Sequence, residues 1–157
     1  MRLLLLPAAF ALVVNCARAA DINLSAGASA TVGTRWTQTV FFDAAGDSRE
    51  WHGLHWEPIA SVGWTGSRDD PKDDLDHDVW IAGAGVRLVG WWRGAFVGFE
   101  GGWVNQRTDA LSSHGQFIST LGWQGDHFVL MIRHISNGNL FGGRNLGETM
   151  LLAGSHF

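Results

Sequence analysis

Strict alternation marks the stretch INLSAGASATV, residues 22–32, in which apolar or small side chains occupy the even positions and polar residues or glycine the odd ones. Successive side chains of a β-strand point to opposite faces of the sheet, so this stretch predicts a strand with one apolar and one polar face. The pattern recurs in six later segments: residues 35–42, 54–66, 80–88, 95–103, 116–123 and 128–133. A last segment, residues 147–157, is apolar on both parities and less regular. Segments of about ten residues are long enough for a tilted strand to cross a bilayer.

The composition excludes other classes of protein. Charged residues make up 17% of the 157 residues and hydrophobic residues 46%, while glycine contributes 21. Beyond the first 20 residues there is no run of about 20 apolar residues, so the sequence does not encode a helical membrane span. A formal net charge of −4 without a basic cluster argues against a nucleic-acid partner.

The first 20 residues have the organisation of a secretory signal peptide. Arg2 precedes an apolar run over residues 3–14, and small residues follow, with predicted cleavage after Ala19 or Ala20. The mature domain is then expected to span residues 21–157. Cleavage removes Cys16, the only cysteine, so neither a disulfide nor a cysteine-ligated metal site is expected.

The polar face of the predicted strands carries isolated charges flanked by Ser, Thr and Gly: Arg35, Glu57, Arg87, Glu100 and Arg133. Such residues suit the packed polar interior of a small closed barrel. Tryptophans near the predicted strand ends are typical of the aromatic girdles at membrane interfaces. The sequence therefore predicts an all-β, eight-stranded antiparallel transmembrane β-barrel in the bacterial outer membrane, with a secreted β-sandwich as the alternative fold.

The lengths of the links predict the orientation. With both termini in the periplasm, the short links at residues 89–93 and 124–126 become periplasmic turns. The longer links near residues 67–77, 104–113 and 137–146 become external loops. In the acidic segment 67–78, Asp74, Asp76 and Asp78 are spaced like the start of a calcium loop, but Val79 stands where the turn glycine should be and the twelfth-position glutamate is missing. We expect it to be a solvated external loop.

One segment carries residues suited to acyl transfer: RHISNGNL, residues 133–140, followed by GRNLGE, residues 143–148. His134 and Ser136 are two apart on a predicted strand and share the parity of the lipid-facing residues. If residue 134 pairs with residue 148, Glu148 faces the same side. Ser136 would then be the nucleophile, His134 the base and Glu148 the group that orients the imidazole. Asn137, or backbone N–H groups around Gly138, would donate hydrogen bonds to the oxyanion.

This constellation of His134, Ser136, Asn137 and Glu148 resembles the lipid A 3-O-deacylase (PagL) family of Gram-negative outer membranes. The resemblance implies an eight-stranded barrel esterase with a Ser-His-Glu triad and no metal or other cofactor. Its substrate would be lipid A, from which it would release the 3-hydroxyacyl chain esterified at position 3. The sequence leaves homodimer formation open.

The sequence leaves open the register of the last strand and the function of the barrel. Glu148 and Phe157 have opposite parity, so a regular last strand cannot turn both towards lipid unless a bulge near Gly154 shifts the register. A non-enzymatic small barrel, serving adhesion or scaffolding, is the alternative function. Placement of Ser136 and Glu148 on opposite faces would favour it. A barrel phospholipase is a second esterase interpretation, although it would require a larger fold and a calcium-dependent dimer.

Overall fold

The computed structural model describes residues 21–31, 35–69, 71–140 and 145–157, and the predicted signal peptide lies outside these ranges. Nine strands form in chain order: β1 (Asp21–Thr31), β2 (Arg35–Ala45), β3 (Arg49–Trp51), β4 (Leu54–Thr65), β5 (Val79–Trp92), β6 (Ala95–Val104), β7 (Gly115–Gln124), β8 (Phe128–Ser136) and β9 (Glu148–His156). A short 3-10 turn covers Pro71–Asp73. In the described part of the chain, no helix has the length and apolar character needed to cross a membrane.

Eight of these strands close into one antiparallel barrel. The strands follow one another in the order β2-β1-β9-β8-β7-β6-β5-β4, and pairing of β2 with β4 completes the cylinder. The predicted eight-stranded all-β fold is thus confirmed, and the sandwich alternative is wrong. The three-residue β3 was not predicted, because it is too short to show an alternating pattern; it pairs only with the start of β4.

The eight barrel strands divide their side chains between an apolar outer surface and a packed lumen, which holds charged and polar residues together with hydrophobic ones. Large hydrophobic side chains are exposed on the outside, among them Leu24, Phe42, Val62, Phe99, Leu130, Ile132 and Leu151. Exposed tryptophans lie near both ends of the barrel: Trp36, Trp80 and Trp103 at one end, and Trp51, Trp91, Trp92 and Trp123 at the other. An apolar outer band bounded by aromatic residues is consistent with an outer-membrane protein.

Buried ion pairs cross the lumen. Arg133 is fully buried and donates to Asp43 at 2.9 Å, and its guanidinium lies 4.3 Å from the centre of the Phe41 ring. Arg87 forms ion pairs with Glu57 and Asp21. These contacts confirm that the charged face of the strands points inward.

Arg35 belongs to the same polar face of the strands but lies at the rim of the barrel, where it pairs with Asp73 at 2.6 Å. Arg35 is the first residue of β2, and its side chain is partly exposed there.

The two ends of the barrel differ largely as the link lengths predicted, except that the eight-residue segment 46–53, which carries β3, lies at the end with the short links. The short links at residues 93–94 and 125–127 lie at the end that carries Asp21 and Phe157, here called the terminal end. The links at residues 66–78, 105–114 and 137–147 lie at the opposite end, here called the loop end.

The three long links are joined to one another and form what we call the loop cap. Asp109 N–H donates to Asp73 O, Leu146 N–H to Asp109 O, and Gly147 N–H to Ala110 O. Leu75 and Leu111 are buried in the same hydrophobic cluster as Val104 and Ile135 of the barrel wall. The loop cap is therefore continuous with the barrel core.

The expectation that segment 67–78 is a solvated loop is wrong for part of it. Leu75 and Asp73 are both buried. The apolar side chain of Leu75 joins the core, and Arg68 N–H donates to its carbonyl oxygen at 2.7 Å. Asp74 and Asp76, on either side of Leu75, remain exposed.

We predict that Arg133→Met lowers the free energy of unfolding by about 3–5 kcal/mol, because it leaves the buried Asp43 carboxylate without its cation. Urea titration of the folded barrel in detergent micelles measures the change. Arg107→Met, at an exposed position of the loop cap, is the control and should change it by less than about 0.5 kcal/mol. Equal stability of the Arg133→Met and Arg107→Met variants would contradict the importance of this ion pair.

Candidate functional site on the outer surface

His134 and Ser136 lie at the loop end of β8, and His134 is exposed on the outer surface of the barrel. Their position follows from the alternation of β8, in which Arg133 and Ile135 are buried in the lumen and Ile132 and His134 face outward. The prediction that His134 and Ser136 share the outward parity is confirmed. Ser136 is the last residue of the strand and is half-buried.

A small polar patch surrounds His134 on the outer surface. His134 pairs with Ser119 on β7 and with Thr149 on β9, both of which are exposed. The next outward row towards the terminal end is apolar, consisting of Leu121, Ile132 and Leu151 on the same three strands. In a membrane-spanning barrel, a polar side chain that faces lipid is unfavourable unless it is paired, and such side chains mark functional sites. His134, paired at the edge of the apolar band, is therefore a candidate for chemistry or binding.

The imidazole of His134 is held by β9. Its Nδ1 lies 3.0 Å from Thr149 Oγ1. A Cβ atom placed on Gly147 would lie 2.8 Å from Cε1 and 3.3 Å from Nε2 of the same ring. Gly147 has a φ of 71°, and continuing the β8–β9 register places it opposite Ser136. The Nε2 edge of the His134 ring therefore points along the strands towards Gly147, the residue opposite Ser136.

The tautomer that suits this arrangement has the proton on Nδ1. Nδ1–H would then donate to Thr149 Oγ1, and Nε2 would be the unprotonated nitrogen. An unprotonated Nε2 can accept a proton from a serine hydroxyl or from water. In the described residues, no hydrogen bond joins Ser136 Oγ to His134, so the hydroxyl would have to rotate towards Nε2 when a substrate binds.

The predicted pairing of residues 134 and 148 is wrong by one residue. His134 lies opposite Thr149, and Glu148 lies opposite Ile135. A shift of one residue moves a side chain to the other face of a sheet. The Glu148 side chain is consequently buried in the lumen, where Arg68 Nη2 donates to it at 2.6 Å and Ser29 Oγ also donates. Glu148 and His134 therefore face opposite sides of the barrel wall.

The last strand is regular, which also settles the position of Phe157. The pairing of β9 with β8 and with β1 runs without a register shift, so there is no bulge near Gly154. Phe157 keeps the outward parity and is exposed, while its backbone hydrogen-bonds to Ile22. The conflict in parity between Phe157 and Glu148 is resolved by turning Glu148 inward.

Asn137 does not present its amide to the outer surface. Its side chain is buried, its Nδ2 donates to Ser112 Oγ at 2.9 Å and to Ser113 Oγ at 3.0 Å, and its Oδ1 accepts from Asn139 N–H. These bonds tie the residue that follows β8 to the link at residues 105–114, so the side chain is not available to an oxyanion. Gly138 is exposed in the turn that follows β8, with a φ of 60°, and stays a candidate oxyanion donor.

Sequence reasoning missed Thr149, Gly147 and Ser119 as neighbours of His134. Thr149 follows directly if β9 is paired one residue further along, and the parity of Phe157 was the signal for that register. The pattern of β9 itself could not decide, because residues 150–153 are apolar at both parities. Ser119 could be found only from the pairing of β7 with β8.

A second group of polar side chains lies in the loop cap. The described residues include one set of three, Asp74, Asp76 and His77, whose candidate ligand atoms all lie within 4.8 Å of one another. Both carboxylates are exposed, and His77 Nδ1 lies 3.2 Å from Asp76 Oδ1. These atoms could ligate a cation, but they take no part in the polar patch around His134.

Comparison with known proteins adds nothing to this geometry, since no family model, curated protein sequence or solved structure matches the chain.

We predict that a cysteine at position 149 reacts with a thiol reagent in detergent micelles and that a cysteine at position 150 does not. Thr149 is exposed on the outer surface, whereas the neighbouring Met150 is fully buried in the lumen. The Thr149→Cys and Met150→Cys variants of residues 21–157 carry no other cysteine, so the mass of the labelled protein reports the result. Labelling at position 150 with protection at position 149 would contradict the β9 register and would turn Glu148 outward.

Proposed function

We propose that this chain is an outer-membrane serine esterase that hydrolyses the ester of the 3-hydroxyacyl chain at position 3 of lipid A. The observation that carries the proposal is the pairing of His134 Nδ1 with Thr149 on the outward surface, beside Ser136 and next to the apolar band. Lipid A is an acylated substrate that resides in the outer leaflet. An outward-facing site at the loop end would meet its acyl esters without requiring them to enter the barrel.

In the first half of the reaction, Ser136 Oγ attacks the carbonyl carbon of the ester while its proton passes to His134 Nε2. The carbonyl oxygen becomes an oxyanion, for which Gly138 N–H is the candidate donor. When the tetrahedral intermediate collapses, the bond to the sugar oxygen breaks, and that oxygen takes the proton from His134. The products of this step are a lipid A hydroxyl group and an acyl ester on Ser136.

In the second half, water replaces the sugar oxygen. His134 Nε2 accepts a proton from the water as its oxygen attacks the acyl-enzyme carbonyl. Collapse of this intermediate releases the 3-hydroxy fatty acid, and the proton on His134 returns to Ser136 Oγ. The cycle consumes one water molecule and uses no metal or other cofactor.

Thr149 takes the place that the sequence assigned to Glu148. A hydroxyl that accepts from Nδ1–H fixes the ring and the tautomer, but it is neutral and stabilises the imidazolium less than a carboxylate would. The proposed site is therefore a Ser-His pair with an orienting threonine. The Glu148 side chain lies on the lumen side of the barrel wall, where it binds Arg68.

The position of Glu148 favours a second candidate function, that of a non-enzymatic small barrel. Ser136 and Glu148 lie on opposite faces, and the Glu148 carboxylate is already bound by Arg68 and Ser29. A barrel without catalysis would still carry polar residues at the edge of its apolar band. Measurement of lipid A chemistry separates the two functions.

We predict that Ser136→Ala and His134→Ala each abolish release of the 3-linked acyl chain while the barrel still folds. The two side chains act as a unit, so losing either should reduce activity to a similar low level. Mass spectrometry of lipid A from cells expressing each variant measures the loss of the acyl chain, with Ser155→Ala, an exposed serine at the terminal end of β9, as the control. Unchanged phospholipids in the same extracts would separate lipid A hydrolysis from phospholipase activity. Full deacylation by Ser136→Ala would end the serine-esterase proposal.

We predict that Thr149→Val lowers kcat by about 2- to 10-fold, since the variant loses one neutral hydrogen bond of about 0.5–1.5 kcal/mol to His134 Nδ1. Thr149→Ser keeps a hydroxyl at the same backbone position and should retain most of the rate. The initial rate of fatty-acid release in mixed micelles gives both values. An unchanged rate for Thr149→Val would remove Thr149 from the site.

A further inference from the structure

A buried ion pair lies in the lumen directly behind the outer-surface patch. Arg68 Nη2 contacts Glu148 Oε2 at 2.6 Å, and the two side chains are only 4% and 3% exposed. Arg68 belongs to the loop cap, and Glu148 is the first residue of β9. The pair therefore joins the loop cap to the strand that holds His134.

Arg68 is fixed by several further contacts. Its Nε donates to Arg35 O at 3.1 Å, and its Nη2 also lies 3.4 Å from Ser29 Oγ. Its backbone N–H donates to the carbonyl oxygen of the buried Leu75. The guanidinium is thus held between the loop cap, β1 and β2, and it fixes the Glu148 carboxylate.

Glu148 lies between the two residues that contact His134. Thr149 Oγ1 contacts His134 Nδ1, and the ring lies against Gly147. Gly147 is itself held by the loop cap through its N–H bond to Ala110 O. Any shift of the backbone at residue 148 would move both neighbours relative to the imidazole.

We propose that Arg68 is a positioning residue for the outer-surface site: by fixing Glu148 inside the lumen, it holds Gly147 and Thr149 where they orient His134. This inference rests on the proposed esterase function. If Arg68 loses its charge, the buried Glu148 carboxylate loses the one cation that pairs with it among the described residues, which is strongly unfavourable. The carboxylate must then move towards water at the barrel mouth, and the backbone of residues 147–149 moves with it.

The test compares four variants of the full chain in detergent micelles. Arg68→Met removes the cation, and Arg68→Lys keeps the charge without the planar guanidinium. Arg87→Met is the control matched for burial, because Arg87 is buried in the lumen and pairs with Glu57 away from β9. Arg35→Met is the control for the loop cap, because it breaks the pair with Asp73 but keeps the Arg35 backbone carbonyl that accepts from Arg68 Nε.

Two measurements are made on each variant. The first is the kinetics of fatty-acid release, in which Arg68→Met should lower kcat by about 10²-fold, as expected for a displacement of about 1 Å in a catalytic group, with little change in KM. Arg68→Lys should recover part of the loss. The second is the 15N spectrum of the histidine side chains, in which the His134 signal should move in Arg68→Met and stay in place in both control variants. The His134 signal is assigned by its absence in His134→Ala.

The outcomes separate the inference from the function on which it rests. If the wild-type chain releases no fatty acid, the proposed function fails, and the His134 signal alone decides whether Arg68 positions the ring. If the wild-type chain is active, and Arg68→Met changes kcat and the His134 signal no more than the control Arg87→Met does, the inference is wrong and the function stands.

Arg68→Met could fail to fold because of the unpaired Glu148 carboxylate. The double variant Arg68→Met with Glu148→Met then replaces it, since it leaves no buried charge behind. It also lacks the bond that ties residue 148 to Arg68 of the loop cap, so residues 147–149 are no longer held from inside the lumen. The double variant should therefore fold and still show the loss of kcat and the displaced His134 signal. Wild-type kcat and a wild-type His134 signal in the double variant would overturn the inference.

Discussion

The closed barrel allows each strand side chain only two environments, the apolar exterior or the packed lumen. Because side chains alternate along a strand, the register of pairing decides which residues lie on the apolar exterior and which meet one another inside. In this chain the constraint places Arg133, Arg87 and Glu148 inside, where each has an oppositely charged partner. It places His134 outside, at the edge of the apolar band, and the proposed chemistry depends on that position.

The lumen is organised in levels of ion pairs along the barrel axis. Arg87 with Glu57 lies near the terminal end, Arg133 with Asp43 lies further along, and Arg68 with Glu148 lies at the loop end. A buried charge pair is unfavourable to break, so each level resists local opening of the wall. The pair at the loop end differs because Arg68 comes from a loop, and it therefore fixes the loop cap as well as the wall.

Much of this architecture could be predicted from the sequence because it follows from period-two patterning. That pattern predicts the eight barrel strands, the inward charges such as Arg87 and Glu100, and the outward parity of His134 and Ser136. The lengths of the segments between the strands predict which links are long and which are short. The β8–β9 register could not be predicted in the same way, since β9 is apolar at both parities over residues 150–153. The outward parity of Phe157 was available as evidence, and giving it more weight would have turned Glu148 inward.

The roles of Asn137 and of the loops could not be predicted from the sequence, because they depend on tertiary contacts. Asn137 follows Ser136 in the sequence, which favoured an oxyanion role, but its inward parity leads it to Ser112 and Ser113 across the loop cap. The segment 67–78 appeared to be a solvated charge run because its single apolar residue, Leu75, was outnumbered by carboxylates. That one leucine fixes the segment by entering the core, and Arg68 enters the lumen beside it.

The most direct test of the central claim is covalent labelling of Ser136 in intact outer membranes with a fluorophosphonate probe, which forms a stable adduct with activated serine nucleophiles. The account predicts an adduct on the peptide that contains Ser136 in the wild-type chain and no adduct in the His134→Ala variant. A wild-type barrel that is folded in the membrane and carries no adduct at Ser136 would contradict it.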